Sequence, residues 1–239
     1  MIALFTDFGL NGPYVGQMKA VLQKDNFPII DLMHDAPAFN PVAASYLLAA
    51  IVKYLPEKCI IIAIVDPGVG SKRKAVALKA DDRWYVGPDN GLLDIVAESA
   101  SDTQWFEITH VDENISSSFH GRDVFSPAAL KLFNNENLAC FLRALPEVRE
   151  EKQLDLDEII YVDGYGNLMT GIRASQVEYT HLLTFKGIAL SQFRTFSDVK
   201  AGQPFYYENS QGLLEIAVNS GSAQHLFQAS IGDKVVLSH

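Results

Sequence analysis

The sequence predicts an α/β N-terminal domain, with a mostly parallel central sheet and helices on both faces, and a smaller, mainly β, barrel-like C-terminal domain. Two observations support this fold class. From residue 1 to about residue 145, strand-like segments alternate with helix-like segments, which is typical of a parallel sheet covered by helices. After a charged stretch, the pattern changes to short strands separated by turns. We therefore predict domains at 1–145 and 157–239, joined by a linker at 146–156.

The first domain contains segments of both periodicities. Helices are predicted where apolar residues recur every three or four positions, at 14–22, 41–54, 91–98 and 126–132. Strands are predicted where short apolar runs end in turn residues, at 2–5, 29–33, 59–65, 76–79, 84–86 and 105–108. Pro41 is tolerated in a first helical turn, and Asn90 or Asp89 is expected to cap the third helix. The segments 76–79 and 84–86 are expected to form a hairpin.

The second domain is predicted from short strands alone. They lie at 158–162, 168–172, 182–185, 205–208, 213–218 and 234–237, with glycines between them. Regularly spaced short strands favour a mainly β, barrel-like structure.

The composition excludes several classes of protein. Of 239 residues, 48% are hydrophobic and 20% are charged, as in ordinary soluble domains. The net charge of −10, without a basic stripe, argues against a nucleic-acid partner. No apolar run approaches the roughly 20 residues that span a bilayer, and no basic leader precedes the first strand. With only Cys59 and Cys140, both in apolar settings, we expect a cytoplasmic protein without a disulfide scaffold.

The strand predicted at 59–65 leads directly into Asp66, Pro67 and Gly68. Its unbroken apolar, β-branched residues are typical of a strand buried on both faces. Ligands of open α/β sheets bind beyond the carboxyl ends of such strands, which favours a catalytic role for Asp66. An aspartate before Pro-Gly also commonly stabilises a turn. This stretch alone leaves both interpretations open.

Arg73 and His120 are candidates to act with Asp66. A histidine between a carboxylate and a guanidinium can orient or deprotonate water near neutral pH. The guanidinium would stabilise developing negative charge. Structural roles stay open for both residues, because Arg73 lies in the basic run 72–74 and His120 follows an apolar phenylalanine.

A metal site is a weaker alternative. Acids and histidines are present in sufficient number, namely Asp7, Asp31, His34, Asp66, Asp89 and His120. However, the sequence has no His-Glu-x-x-His helix and no Cys or His pair with zinc-ligand spacing. It also lacks a Gly-x-x-x-x-Gly-Lys phosphate loop and a complete Gly-x-Gly-x-x-Gly after the first strand. We therefore predict a site without a metal or a cofactor.

Motifs over nearly the whole chain resemble those of one family, the S-adenosyl-L-methionine hydroxide adenosyltransferases, which are related to the bacterial fluorinase and chlorinase. In the family's order they are TDFGLNGPYVGQMK (6–19), DLMHDAP (31–37), VDPGVGSKRK (65–74), VGPDNGLL (86–93), FHGRDVFSPAA (119–129), VDGYGNLMTGI (162–172) and NSQGLLEIAVNSGSA (209–223).

This resemblance implies that water splits S-adenosyl-L-methionine (SAM) into adenosine and L-methionine, without a metal, by in-line attack on the ribose 5′ carbon. The sulfonium is already a good leaving group, so an aligned, partly desolvated nucleophile suffices. The family's Asp-Arg-His set falls on Asp66, Arg73 and His120. In the halide-using relatives the first position is a tyrosine and the third is not histidine, which favours water as the nucleophile here. The resemblance also implies a homotrimer whose ligand lies between the N-terminal domain of one subunit and the C-terminal domain of the next.

The resemblance further implies a set of substrate-binding residues, for each of which an ordinary turn or strand-end role is the alternative. Asp7 is expected to bind the ribose hydroxyls, and Gly121 is expected to lie close to the ribose and the nucleophile. Asp163 is expected to face the methionine ammonium, and Ser210 and Gln211 are expected to bind the methionine carboxylate. Tyr165, Asn167 and the backbone near Ser220 are expected to contact adenine.

The chain departs from the family pattern at Gly12, where many members carry an acid, and at Gly171, where an asparagine is common. Loss of the acid is expected to weaken substrate binding or change the preferred substrate. Two other functions stay open. They are halide-dependent adenosyl transfer, which a tyrosine at position 66 would favour, and binding of adenosine or SAM with little turnover.

Overall fold

A computed structural model describes residues 1–23, 27–109, 115–145, 150–177 and 182–238. The chain divides into two compact units. The first comprises residues 1–48 and 54–152, and the second comprises residues 49–53 and 153–239. Within the described ranges, no helix is long and apolar enough to cross a membrane.

The first unit contains strands, α-helices and a π-helical turn. The strands are β1 (Ile2–Thr6), β2 (Ile29–Met33), β3 (Ile60–Ile64), β4 (Ala75–Ala80), β5 (Arg83–Pro88), β6 (Thr103–Ile108) and β7 (Leu142–Ala144). The helices are α1 (Tyr14–Leu22), α2 (Pro41–Ile51, whose last residues belong to the second unit), α3 (Asp94–Ser99) and α4 (Ser126–Phe133), which the π-helical turn Gly121–Phe125 precedes.

The strands of this unit form a seven-stranded sheet in the order β2-β1-β3-β5-β4-β6-β7. Strands β2, β1, β3 and β5 pair in parallel, whereas β4 pairs antiparallel with β5 and β6, and β6 with β7. The antiparallel pair β4 and β5 confirms the predicted hairpin. The connection between the two strands is so short that it permits only antiparallel pairing. The α/β class is therefore confirmed, but the sheet is mixed, since the hairpin reverses the chain direction.

Strands β1 and β3 are adjacent and buried on both faces. Leu4 and Ile62 face a cluster that contains Met18 of α1 and Leu132 of α4. Alternate residues such as Phe5 point to the opposite face and are equally inaccessible to solvent. The β-branched run before Asp66 thus forms the buried strand that its composition predicts.

Helix α3 begins at Asp94, three residues after the predicted start. Neither of the two expected caps, Asn90 and Asp89, caps the helix. Asn90 Nδ2 donates to the carbonyl of Val65 at 2.9 Å, and its Oδ1 accepts from the Leu92 N–H at 3.3 Å. Leu93 precedes the helix without a side-chain cap. Asn90 therefore anchors the end of β3 instead of opening a helix.

The second unit contains two smaller sheets. One has the order β12-β13-β9-β8 and the other β11-β10-β14. The strands are β8 (Leu156–Val162), β9 (Leu168–Arg173), β10 (Leu182–Phe185), β11 (Ile188–Leu190), β12 (Pro204–Glu208), β13 (Leu213–Val218) and β14 (Val235–Ser238), accompanied by helix α5 (Ala223–Phe227).

Each of the six strands predicted for this unit is present, with small shifts at the ends. The sequence missed β11 and α5, and in the first unit β7, because elements of three to five residues carry little periodicity of their own. Residues 146–149 of the predicted linker lie outside the described ranges, and β8 begins at its last residue, Leu156.

Gly171 lies on β9 where β8 passes very close. A Cβ at this position would lie 2.6 Å from the Cβ and 2.7 Å from the backbone oxygen of Leu156. Real Cβ atoms do not approach backbone so closely, so any larger residue here, asparagine included, would displace β8. The chain therefore requires glycine here.

Replacing Gly171 by alanine tests this packing. We expect G171A to lower the free energy of unfolding by about 1–3 kcal/mol, because overpacking forces the two strands apart. The matched control is G16A in α1, where a Cβ meets nothing within 4 Å and the loss of backbone freedom in the unfolded chain stabilises by about 0.5–1 kcal/mol. Calorimetric melting of both variants measures the difference. A G171A protein as stable as wild type would contradict the close approach.

Candidate active site

Asp66 follows β3 and uses different atoms for the turn and for Arg73. Its backbone carbonyl accepts from the Val69 N–H at 3.3 Å and closes the Pro-Gly turn. Its carboxylate oxygens accept from Arg73 Nε at 3.0 and 3.1 Å, and Oδ2 also accepts from Arg73 Nη2. The two side chains are only 5% and 9% exposed. Arg73 is therefore not a solvated member of the basic run 72–74, and Asp66 does more than stabilise a turn.

His120 completes this network from the other side of the guanidinium. Arg73 Nη2 donates to His120 Nδ1 at 2.9 Å, across 47 residues of sequence. Because guanidinium nitrogens only donate, His120 Nδ1 must be the acceptor, and the proton of the neutral imidazole lies on Nε2. The Arg73 guanidinium also lies 5.4 Å from the centre of the Phe125 ring, which limits its movement.

The pKa of His120 lies below its ordinary value of 6.5. Burial is the largest cause, since it disfavours the charged imidazolium, and the positive charge of Arg73 is the next. The negative charges of Asp66 and Asp123 oppose both effects. The imidazole is accordingly neutral at pH 7.

A pocket of about 400 Å³ opens beside these residues. Its polar lining comes from Asp7, Asp66, Ser118, His120 and the backbone of Gly121, and the rest is apolar, mainly Phe8, Tyr14, Phe39, Ile64, Pro67, Val69 and Phe119. Asp66 and His120 therefore line the same pocket as two of the residues assigned to substrate binding, Asp7 and Gly121. Arg73 lies behind Asp66 and His120 and does not line the pocket.

Asp7 reaches this pocket because β1 and β3 are parallel neighbours. Its N–H donates to the Ile64 carbonyl at 3.3 Å, and its Oδ2 accepts from the Phe39 N–H at 3.4 Å. Burial is the main cause that raises the pKa of Asp7, and the charge of Asp66 adds to it. Two carboxylates at the same edge of the sheet thus disfavour the binding of a further negatively charged group in this pocket.

The turn that carries Asp7 is held by a buried histidine that the sequence suggested only as a metal ligand. His34 is 5% exposed, and its Nδ1 lies 2.8 Å from Thr6 Oγ1 while its Nε2 lies 3.0 Å from Asp31 Oδ1. Lys19 Nζ donates to the other oxygen of Asp31 at 2.6 Å. Within the described residues, no group of three or more His, Cys, Asp or Glu side chains could hold a metal ion.

Gly121 lets the elements around the pocket approach one another. A Cβ here would lie 3.1 Å from Ile64 Cδ1, 3.2 Å from Met18 Sδ and 3.2 Å from Phe119 Cε2. These distances are tighter than ordinary contacts, so a larger residue would press on the pocket wall. The aromatic wall itself, in which Phe8, Tyr14 and Phe119 pack with ring centroids 5.3–6.0 Å apart, was not predicted as functional.

The second unit has a pocket of its own, of about 530 Å³. It is lined by four of the predicted binding residues and four others, namely Asp163, Tyr165, Asn167, Ser220, Phe196, Tyr207, Val218 and Gly221. Ser210 lines a different pocket of about 390 Å³, with Gln192, Phe193, Arg194, Glu208 and Asn209. Gln211 is not among the lining residues of either pocket.

Asp163 also has a clear structural role. Its Oδ1 accepts from the N–H groups of Tyr165 and Asn167 at 2.9 and 2.8 Å, and its Oδ2 accepts from Asn167 Nδ2 at 2.9 Å. The turn interpretation therefore holds for this carboxylate. The same turn leaves the Tyr165 side chain 83% exposed at the pocket.

Comparison with known proteins identifies the family. The chain matches the SAM hydroxide adenosyltransferase N-terminal domain over residues 2–141 and the corresponding C-terminal domain over residues 157–236. It is 36% identical to an (R)-S-adenosyl-L-methionine hydrolase of Thermus thermophilus over 93% of each chain. It is 34% identical to one of Salinispora tropica over 98% of this chain and 96% of the relative.

Two further matches extend the comparison. A crystal structure of an uncharacterized conserved protein from Thermotoga maritima superposes with a TM-score of 0.88 at 31% identity, covering all of both chains. A fluorinase of Actinopolyspora mzabensis is more distant, at 21% identity over 98% of this chain and 96% of the relative.

The titration of His120 tests the geometry around Arg73. We expect an imidazole midpoint below 6.5 in the wild type and a higher midpoint in R73Q, because the variant removes a nearby positive charge and leaves Asp66 unpaired. Nitrogen-15 NMR of the imidazole measures both. The control is K72Q, which removes a neighbouring exposed cation that does not contact His120. A midpoint at or above 6.5, or one unchanged in R73Q, would contradict the arrangement.

The same shift makes a prediction about stability. The unfolded chain binds the His120 proton more readily than the folded chain, so His120 contributes stability above its ordinary pKa and loses it as the pH falls below 6.5. The free energy of unfolding should therefore fall less between pH 7 and pH 5 in R73Q than in K72Q.

Proposed function

The chain belongs to the SAM hydroxide adenosyltransferase family, and we propose that it hydrolyses S-adenosyl-L-methionine to adenosine and L-methionine. One observation carries the proposal: Asp66, Arg73 and His120 form a single hydrogen-bonded network beside a pocket. Relatives named (R)-S-adenosyl-L-methionine hydrolase match over nearly the full length of this chain.

The charge of the first pocket supports a cationic substrate. Among the residues that line it, Asp7 and Asp66 carry carboxylates and none is a lysine or arginine. Such a lining attracts a sulfonium and disfavours a free halide ion. Water is therefore the better nucleophile for this site, in agreement with a carboxylate at position 66.

The reaction is an in-line displacement at the ribose 5′ carbon. The oxygen of water bonds to C5′, the C5′–S bond breaks, and its electron pair stays on sulfur to give the neutral thioether of methionine. Asp66 accepts a hydrogen bond from the attacking water and takes its proton, which then passes to solvent. His120 donates from Nε2 to the same oxygen and aligns it. Arg73 positions both side chains and is not itself in contact with the substrate.

The remaining predicted residues bind the substrate in this proposal. Support comes from the two pockets, which contain the predicted ribose and adenine residues but not the full set for the methionine carboxylate. The assigned contacts are Asp7 and Gly121 with the ribose, Tyr165, Asn167 and the Ser220 backbone with adenine, Asp163 with the methionine ammonium, and Ser210 and Gln211 with its carboxylate.

We also propose that two copies of the chain build each site, in a homotrimer. The N-terminal domain of one subunit supplies the pocket of Asp66, and the C-terminal domain of the next supplies the pocket of Asp163. Exposed apolar side chains support an interface, since Phe39 at the first pocket is 79% exposed and Tyr165 at the second is 83% exposed. We further propose that the C-terminal domain is barrel-like and that residues 146–156 link the two domains. We also propose a cytoplasmic location, which is compatible with two free cysteines.

The reaction is tested by incubating the protein with SAM in H₂¹⁸O. We expect adenosine and methionine as products, with the label in the 5′-hydroxyl of adenosine and none in methionine. Turnover should need neither halide nor metal, so chelator and chloride-free buffer should leave the rate unchanged. Absence of adenosine above the uncatalysed rate would reject hydrolysis, and formation of a 5′-halogenated nucleoside would identify the halide-dependent alternative.

Two substitutions test the roles of the network. D66A and H120A should each lower kcat by about 10²–10⁴-fold while changing KM little, because both groups act on the attacking water. The matched control is D82A, at an exposed turn residue between β4 and β5, which should keep wild-type kinetics. Equal changes in KM and kcat would mean that the residues only shape the pocket.

Subunit mixing tests the shared site. D66A and D163A should each be inactive on their own, the second through loss of substrate binding and of its turn. After unfolding and refolding together, about a quarter of the sites should combine two intact halves and recover activity. Sedimentation should give a trimer. No recovery in a mixed trimer would place both halves of the site on the same chain.

A further inference from the structure

Glu215 is a buried carboxylate that none of the proposed roles uses. It lies on β13, directly opposite Tyr207 of β12, and is only 2% exposed. Burial of a carboxylate is costly unless its oxygens are hydrogen-bonded. The contacts of Glu215 therefore indicate what it holds in place.

Each oxygen of Glu215 accepts one hydrogen bond. Oε1 accepts from the Tyr207 hydroxyl at 2.5 Å, and Oε2 accepts from Asn209 Nδ2 at 2.8 Å. Burial is the first cause that raises the pKa of Glu215, and the charge of Asp163 also raises it, whereas the two hydrogen bonds lower it. The carboxylate is thus tied to two different parts of the second unit.

The first part is the wall of the pocket that contains Asp163 and Asn167. Tyr207 lines this pocket. A phenol has a single proton to donate, and that of Tyr207 is committed to Glu215. The bond therefore fixes the rotation of the hydroxyl and restrains the ring against the pocket.

The second part is the turn that carries Ser210 and Gln211. Asn209 Oδ1 accepts from the N–H groups of Gln211 and Leu213, both at 3.0 Å. This requires the Asn209 amide to place its oxygen toward the turn and its nitrogen away from it. The acceptor that receives the Asn209 nitrogen is Glu215, so the carboxylate selects the amide orientation that closes the turn.

We propose that Glu215 is a positioning residue for substrate binding, which holds the Tyr207 wall of the pocket and the Ser210–Gln211 turn in register with one another. This inference rests on the proposed function, because that proposal assigns adenine and the methionine ammonium to this pocket and the methionine carboxylate to the turn. The coupling depends on the two acceptor oxygens of a single carboxylate, one for Tyr207 and one for Asn209. A neutral side chain of the same shape lacks the second acceptor.

The variant E215Q tests this directly. Glutamine offers one acceptor oxygen to two donors, and the Asn209 Nδ2–H can only donate, so the oxygen must face Asn209 and the amide nitrogen must face Tyr207. The Tyr207 hydroxyl then has to accept instead of donate, which turns its proton away from residue 215 and releases the restraint on the pocket wall. We expect the KM for SAM to rise about tenfold with kcat within about threefold, because binding is lost and the water-activating network is untouched. The matched control is T170V, which should lower Tm without changing KM. It removes two other buried hydrogen bonds of this unit, from Thr170 Oγ1 to the Leu214 carbonyl at 2.8 Å and from the Ile172 N–H to Thr170 Oγ1 at 3.2 Å.

A double variant separates coupling from general damage. In Y207F the hydroxyl is gone, so the oxygen of a glutamine at 215 is free to serve Asn209. The KM of Y207F/E215Q should therefore be no higher than that of Y207F alone, whereas independent damage would multiply the two increases. Y207F also keeps the buried carboxylate, so it tests the pocket wall even where E215Q folds poorly.

Crystal structures of E215Q and T170V give a readout that does not depend on the substrate. We expect displacement of the Tyr207 ring or of the 209–213 turn in E215Q only. Unchanged positions, a wild-type KM in E215Q, or an equal KM increase in T170V would overturn the inference. A wild-type protein that fails to cleave SAM, with the displacement still present in E215Q, would reject the proposed function and leave the positioning role standing.

Discussion

The paired hydrogen bonds between Arg73 and Asp66 are the constraint on which the first pocket depends. Both side chains are almost fully buried, and removing one partner of such a pair leaves an uncompensated charge that costs about 3–5 kcal/mol. The same guanidinium has a further N–H for His120 Nδ1, which determines the imidazole tautomer. One side chain thereby sets the orientation of an acceptor and of a donor that face the same space. Lysine, with a single ammonium and no planar fork, would not hold both.

The sheet supplies the second condition, because parallel strands end at one edge. Asp7 follows β1 and Asp66 follows β3, and the Asp7 N–H to the Ile64 carbonyl ties the two ends together. Asn90 extends this edge by donating to the carbonyl of Val65. The result is a pocket with two carboxylates and a neutral imidazole, whose charge suits a sulfonium. The acidic character of the site therefore follows from strand topology as much as from residue type.

In the second unit, two carboxylates hold turns and one pocket wall in place by accepting hydrogen bonds. Asp163 closes the 163–167 turn with three hydrogen bonds, and Glu215 joins Tyr207 to Asn209. For Asp163, the turn role and the binding role are compatible, since each carboxylate oxygen has more than one acceptor direction. The 163–167 turn is thus held directly by a carboxylate, and the 209–213 turn is held by Asn209, which donates to Glu215.

The sequence by itself determined the elements whose periodicity is long enough to stand out, such as α1 and β3, and the motifs that identify the family. It did not determine the start of α3, because Asn90 bonds to a residue on a different strand, or the mixed pairing of the sheet beyond its hairpin. Only the tertiary structure decided between a solvated and a buried Arg73, since the family resemblance singles out the middle one of three neighbouring basic residues but does not give its burial. The hydrogen bond between Arg73 and His120, which are 47 residues apart, exists only when the chain is folded. Only the folded chain therefore shows that Asp66 and His120 are joined through one guanidinium.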